Sequence, residues 1–336
     1  MYPRFPLANH TAWSGASARL HPLARQNAVP LGSLGNSRGA LEGLTWQQSR
    51  LAEESRMGTW VNALLLSTLV SIMYASVIAS LGRQWWDDPN YGHAFFVPVF
   101  AGYILWSERD RWRSLPFRGN NFGLAIMLFA IGLRVLGTLG AELFMVRLSL
   151  LILICGIVIF LAGGQMLRSI SFPIGYLLFM IPLPSIVYYQ LTFPLQLWAS
   201  RLGAGGLVAL GIHTVREGNL LVLPNCTLSV VEACSGIRSL LSLLAAVVAY
   251  GYLAEQRTWK RGVLAVATIP IAIATNGLRL VATGVISYNF GPNADSGVVH
   301  LVLGLGTFAL AFLLILLVHR ILGLHLVQQN TERLYP

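Results

Sequence analysis

The sequence predicts an all-α polytopic membrane protein. Of its 336 residues, 55% are hydrophobic and only 11% charged, with mean hydropathy +0.64. A soluble domain carries about 25% charge. The apolar residues also fall in long runs, and the cations crowd into alternate gaps between them.

Residues 1–56 are rich in Ala, Ser, Gly, Pro and Arg and have no apolar periodicity. They read as a disordered cytoplasmic tail. Met57 stands just before the first apolar run, so a misassigned start is the other reading of that tail. The run begins near Trp60, too far along for a cleavable signal peptide.

A membrane domain over 57–322 is expected to hold about eight spans. They lie near Trp60–Leu81, Gly92–Trp106, Asn121–Leu139, Met145–Gly163, Ser169–Ile181, Leu240–Leu253, Gly262–Ile286 and Val298–Val318. A span needs about 20 apolar residues, and the second, fifth and sixth are short. Residues 186–229 are less regular. Pro194, several glycines and the strand-like NLLVLPNCTLSVV suggest an interfacial helix and then a short extended stretch before the sixth span. Residues 323–336 form a short cytoplasmic tail.

Of the 23 Lys and Arg, sixteen fall in the segments that a cytoplasmic N-terminus places inside. Three (Arg83, Arg201 and Arg216) fall outside, and four lie within spans. That imbalance puts both termini in the cytoplasm. The net charge of +10 therefore belongs to cytoplasmic loops in contact with a lipid bilayer, and nucleic acid is not an expected partner. Three cysteines are too few for a disulfide framework.

This topology sets Cys234, in VVEACSGIRSL, at the outer end of the sixth span. Arg279 falls in the outer half of the seventh, and His300 at the outer end of the eighth. Arg134, Glu142, Arg147 and Arg238 lie in or near the same layer. Charges inside spans are expensive and face polar cavities or partners, so a polar pocket is expected there. A helix start and a nearby arginine stabilise a thiolate, and Arg238 lies one turn beyond Cys234. Arg279 suits charge stabilisation, and His300 can move a proton near neutral pH. Nucleophile, electrophile and acid–base group together suit acyl transfer through a thioester.

Each residue has a plainer alternative. Cys155 reads as packing, and the same reading competes for Cys234. Cys226 reads as structural; a disulfide with Cys234 would instead remove the nucleophile. His300 and His93 could be interfacial, with site lining the other reading of His93. Arg279 could be an ion-pair partner of Glu232 or Glu142. Asp87 and Asp88 read as a solvated loop, and His319 and His325 fall on the inner side. Glu232 either orients an arginine or caps the following helix. No ligand cluster has metal spacing, so neither metal nor organic cofactor is expected.

From Trp60 to Arg320 the chain resembles the exosortase/archaeosortase family of membrane cysteine transpeptidases. The matching pieces are WWDDPNYGHAFFVPVFAGYILW, FMIPLP, REGNLLVLPNCTLSVVEACSGIRSLLSLLA, ATNGLRL, and His300 followed by Gly304. The resemblance implies Cys234 as nucleophile, Arg279 and His300 completing the site, and Arg238 as a further motif arginine. Glu232, Asn276 and His93 are taken as supporting positions. It also implies substrates: secreted proteins ending in a Pro-Glu-Pro type motif, one transmembrane helix and a basic cluster. The acyl group passes to an acceptor the sequence does not name, in the inner membrane of a bacterium producing exopolysaccharide. Some members carry an added C-terminal domain; here only the short tail is expected. Two other functions compete: hydrolysis alone, and a non-enzymatic component of polysaccharide export. The export reading has no inverted repeat or paired broken helices behind it.

Overall fold

A computed structural model describes residues 64–230, 236–291 and 297–334, together with Val61. The expected tail over 1–56 lies outside the described residues. The rest is helical apart from one small sheet, as an all-α polytopic membrane protein requires. Helix is the natural solution in lipid, because it satisfies every backbone polar group within its own segment.

Among the described residues, six helices are long and apolar enough to cross a membrane. They are α1 (Leu64–Asp87), α4 (Phe122–Leu139), α5 (Leu143–Ala162), α9 (Gly236–Ala254), α10 (Thr258–Phe290) and α11 (Val298–Leu334). A seventh span results if Ser171–Met180 and Ser185–Ala209, bent by 78°, count as one. The remaining expected span, Gly92–Trp106, is divided between a 3₁₀ helix, Pro89–Phe95, and the 12-residue α2, Phe96–Ser107. Asp88 caps the 3₁₀ helix by accepting from the Asn90 amide, and Pro89 starts it. At 1.5 Å per residue α2 alone reaches about 18 Å, short of a ~30 Å hydrocarbon core.

Short helices α3 (Arg109–Arg113), α6 (Gly164–Ser169) and α7 (Ser171–Tyr176) connect these elements. The irregular region resolves into α8 (Ser185–Ala209), with Pro194 inside it, and an antiparallel three-stranded sheet. Its strands are β1 (Val215–Glu217), β2 (Leu220–Val222) and β3 (Thr227–Ser229). Glu217 pairs with Leu220 across a two-residue turn, in which Gly218 adopts φ +65°. A two-residue hairpin of this kind favours glycine there.

The helix pair that carries the site is held by small residues. A Cβ at Gly203 would stand 2.6 Å from Leu280, one at Gly277 2.8 Å from Leu202, and one at Gly284 2.8 Å from Leu207. The pairs advance together along both chains, so α8 and α10 run parallel at close approach. Leu207, Leu221, Leu228, Val230 and Leu280 bury themselves between the sheet and these helices. Asn225 Nδ2 donates to Tyr288 O at 2.7 Å and pins the sheet to the last turns of α10. With 33 residues α10 is about 50 Å long and outreaches the hydrocarbon core.

The opposite end of the bundle is a polar knot. Glu255, in the α9–α10 loop, meets Lys260 Nζ at 3.0 Å and His319 Nε2 at 3.4 Å. Tyr250 OH and His319 Nδ1 are 2.7 Å apart, and Tyr252 OH donates to Glu108 at 2.6 Å. His319 thus lies in this knot, away from the candidate site.

Candidate active site

Arg279 stands late in α10 and His300 in the first turn of α11. Arg279 Nη2 and His300 Nε2 are 2.8 Å apart. A guanidinium has donors and no acceptor, so the arginine donates and Nε2 offers its lone pair. Gly304, one turn on, leaves room for the arginine: a Cβ there would meet Cζ and Nη2 at 3.7 Å, ordinary contact. Arg279 Nε is buried with no hydrogen-bond partner among the described residues.

Asn276 lies one turn before Arg279 and is 5% exposed, its Oδ1 unpartnered among the described residues. With Ser239, Thr275 and Thr307 it lines a cavity of about 10 Å³, the scale of one water. This supporting position is thus packed beneath the Arg279–His300 pair.

The first turn of α9 is held by the 3₁₀ segment. Arg238 Nε donates to Asn90 Oδ1 at 3.2 Å, and Asn90 Nδ2 donates to Asp88 Oδ1 at 2.8 Å. One turn further along α9, Ser242 Oγ and His93 Nδ1 are 3.2 Å apart. His93 therefore grips α9, and among the described residues no hydrogen bond joins it to Arg279 or His300. Asp88, expected in a solvated loop, is a cap and the anchor of this chain of bonds. Cys234 and Glu232 lie outside the described residues; in sequence Cys234 precedes the first residue of α9 by two positions.

The polar pocket expected around Arg279 and His300 is not the cavity found here, which neither residue lines. A cavity of about 810 Å³ is walled by Asp88, Asn90, Tyr91, Tyr188, Tyr189 and Gln196, with Arg238 at one side. Tyr91 is pushed up to about 12, chiefly by burial. Arg147, 4% exposed, lies behind Tyr91. Arg134 and Glu142 do not join the pocket wall. Arg134 stacks over the Tyr74 ring at 4.5 Å, and Glu142 caps α5 by accepting from the Phe144 amide at 3.3 Å. Glu142 is therefore not the partner of Arg279.

Sequence reasoning passed over Asn90, Tyr188, Tyr189 and Gln196. Asn90 had a signal, since Asp-Pro-Asn is a capped turn beginning two residues after a tryptophan pair. The α8 residues had none, because their region reads only as irregular. Cys226 is a free thiol packed beside the sheet core, and Cys155 lines an apolar pocket with Leu151 and Leu167.

A family model described as transmembrane exosortase matches residues 85–317. No curated protein and no solved structure matches the chain.

Proposed function

The chain belongs to the transmembrane exosortase family, and from that premise we propose that it is a membrane cysteine transpeptidase acting on the C-terminal sorting tails of secreted proteins. The tail is a Pro-Glu-Pro type motif, a transmembrane helix and a basic cluster, and it docks laterally through the bilayer. The enzyme lies in a bacterial inner membrane with both termini cytoplasmic and its site facing the periplasm. The uneven distribution of Lys and Arg supports that orientation.

In the proposed reaction His300 takes the Sγ proton of Cys234, and the thiolate attacks a peptide carbonyl. The new C–S bond pushes the carbonyl π pair onto oxygen, where Arg279 holds the charge. Collapse breaks the C–N bond, and the proton on His300 passes to the departing amine. The acceptor then gives a proton to His300 and attacks the thioester, and the thiolate leaves. An arginine that turns from Nε2 of His300 toward the oxyanion releases the lone pair the base needs.

The observation that carries this reading is the 2.8 Å bond between Arg279 and His300, which joins an anion-stabilising group to a proton carrier across two helices. The test is Cys234→Ser co-expressed with a tailed substrate. Loss of processing is expected; processing at the wild-type rate overturns the thioester route. A new mass on the C-terminus of the product separates transfer from hydrolysis.

A further inference from the structure

The 810 Å³ cavity is distinct from the Arg279–His300 pair, and its wall is prepared for an anion. Arg238 spends only Nε on Asn90, and among the described residues no acceptor holds its two Nη groups. The acid in the wall, Asp88, is occupied twice over by Asn90, through the backbone amide at 2.9 Å and Nδ2 at 2.8 Å. Gln196 is 7% exposed and makes no hydrogen bond among the described residues, yet it lines the cavity. Arg147 adds a buried guanidinium behind Tyr91, its Nε unpartnered among the described residues. The Arg238 Nη groups and the Gln196 amide are thus available to an acceptor that enters the cavity. A carboxylate fits the Arg238 fork in bidentate fashion, and the Tyr188 and Tyr189 rings, 5.6 Å apart and edge to face, wall it with flat apolar surface.

We propose that this cavity is the recognition subsite for the peptide beside the cut, and that Arg238, with Gln196, reads an acidic side chain in it. The inference rests on the functional reading above and assigns Arg238 to specificity, leaving the oxyanion to Arg279 alone. A phosphate headgroup offers similar charge. A peptide is favoured because the wall also carries Gln84, Asn90 and Gln196, amides that match peptide N–H and C=O groups. Arg238 also follows Cys234 by four residues.

The test uses the full chain in membranes and reporter proteins whose tails carry Pro-Glu-Pro, Pro-Gln-Pro or Pro-Lys-Pro. For the wild type, the glutamine tail is expected to raise KM at least about tenfold with kcat little changed, the size of a lost charge-assisted hydrogen bond. Arg238→Gln is expected to raise KM similarly for the glutamate tail and to be indifferent to Glu against Gln, so the two changes do not add. Arg238→Glu should recover activity on the lysine tail. Equal wild-type processing of the glutamate and glutamine tails overturns the inference without any variant having to fold. A fall in kcat for Arg238→Gln that is the same for both tails overturns it in favour of catalysis. Dependence on anionic lipid in vesicles, lost in Arg238→Gln and blind to the tail, overturns it in favour of a headgroup. A wild type that cuts no tail sinks the functional reading and this inference together.

Discussion

Arg279 donates from Nη2 to Nε2 of His300 across 2.8 Å, so the guanidinium rests on the imidazole ring. Two groups 21 residues apart, one on α10 and one on α11, are joined side chain to side chain. A lysine ammonium lacks the planar fork that lets a guanidinium hold Nε2 and a second acceptor at once. Arg279→Lys is expected to lower kcat by about 10²–10³, the usual loss for an oxyanion donor, with unchanged protein level in the membrane. Processing within about threefold of wild type would refute the assignment.

Gly304 sets the space around that guanidinium. Gly304→Ala adds a methyl at ordinary contact distance, 3.7 Å from Cζ, and should process tails at nearly the wild-type rate. Gly304→Leu must displace the arginine, and misplacement of about 1 Å can cost about a hundredfold. Rates measured side by side for the two variants check this.

The parallel contact of α8 with α10 depends on glycine. Gly203→Val has no room beside Leu280 and is expected to destabilise by about 1–3 kcal/mol. Gly205→Ala meets nothing within 4 Å and should be neutral or slightly stabilising. Thermal unfolding of the detergent-solubilised variants distinguishes them; equal melting temperatures would argue against tight packing at Gly203.

The knot at the far end predicts a pH response. The Glu255 carboxyl is held down from 4.5 to about 2, first by the Arg257 amide N–H and then by Lys260 and His319. A depressed carboxyl stabilises the fold above its unfolded pKa, and that contribution disappears as pH falls from about 4.5 toward 2. Lys260 and His319 face it from α10 and α11, and Arg261 Nε donates to the Glu255 carbonyl oxygen. The wild type should lose thermal stability across this window more steeply than Glu255→Gln. Parallel curves would show that Glu255 contributes nothing.

Much of this architecture was legible in the sequence because lipid imposes it. Hydropathy located the helices that became α1, α4, α5, α9, α10 and α11, and cation asymmetry put Arg279 and His300 in one layer, where the structure joins them. Hydropathy could not show that the apolar run from Gly92 begins as a 3₁₀ turn, because the Asp88 cap and not apolarity decides the backbone there. Nor could it show Asn90 against Arg238, since a contact across 148 residues belongs to tertiary packing and leaves no local period. The α8 wall of the cavity was hidden for a related reason. Its polar residues face a hollow rather than solvent, and a hollow has no signature in composition.

From Lys260 to Arg279 the single helix α10 rises nineteen residues, about 29 Å. That is close to the thickness of the hydrocarbon core. In the proposed orientation a rod seated by its cations at one face of the bilayer works as a ruler, and the Arg279–His300 pair is its mark at the other face. Under the proposed function, a tail whose own helix enters beside this rod would meet the pair at a fixed height, and the count of residues between its membrane exit and its cleaved bond would be set by the length of α10.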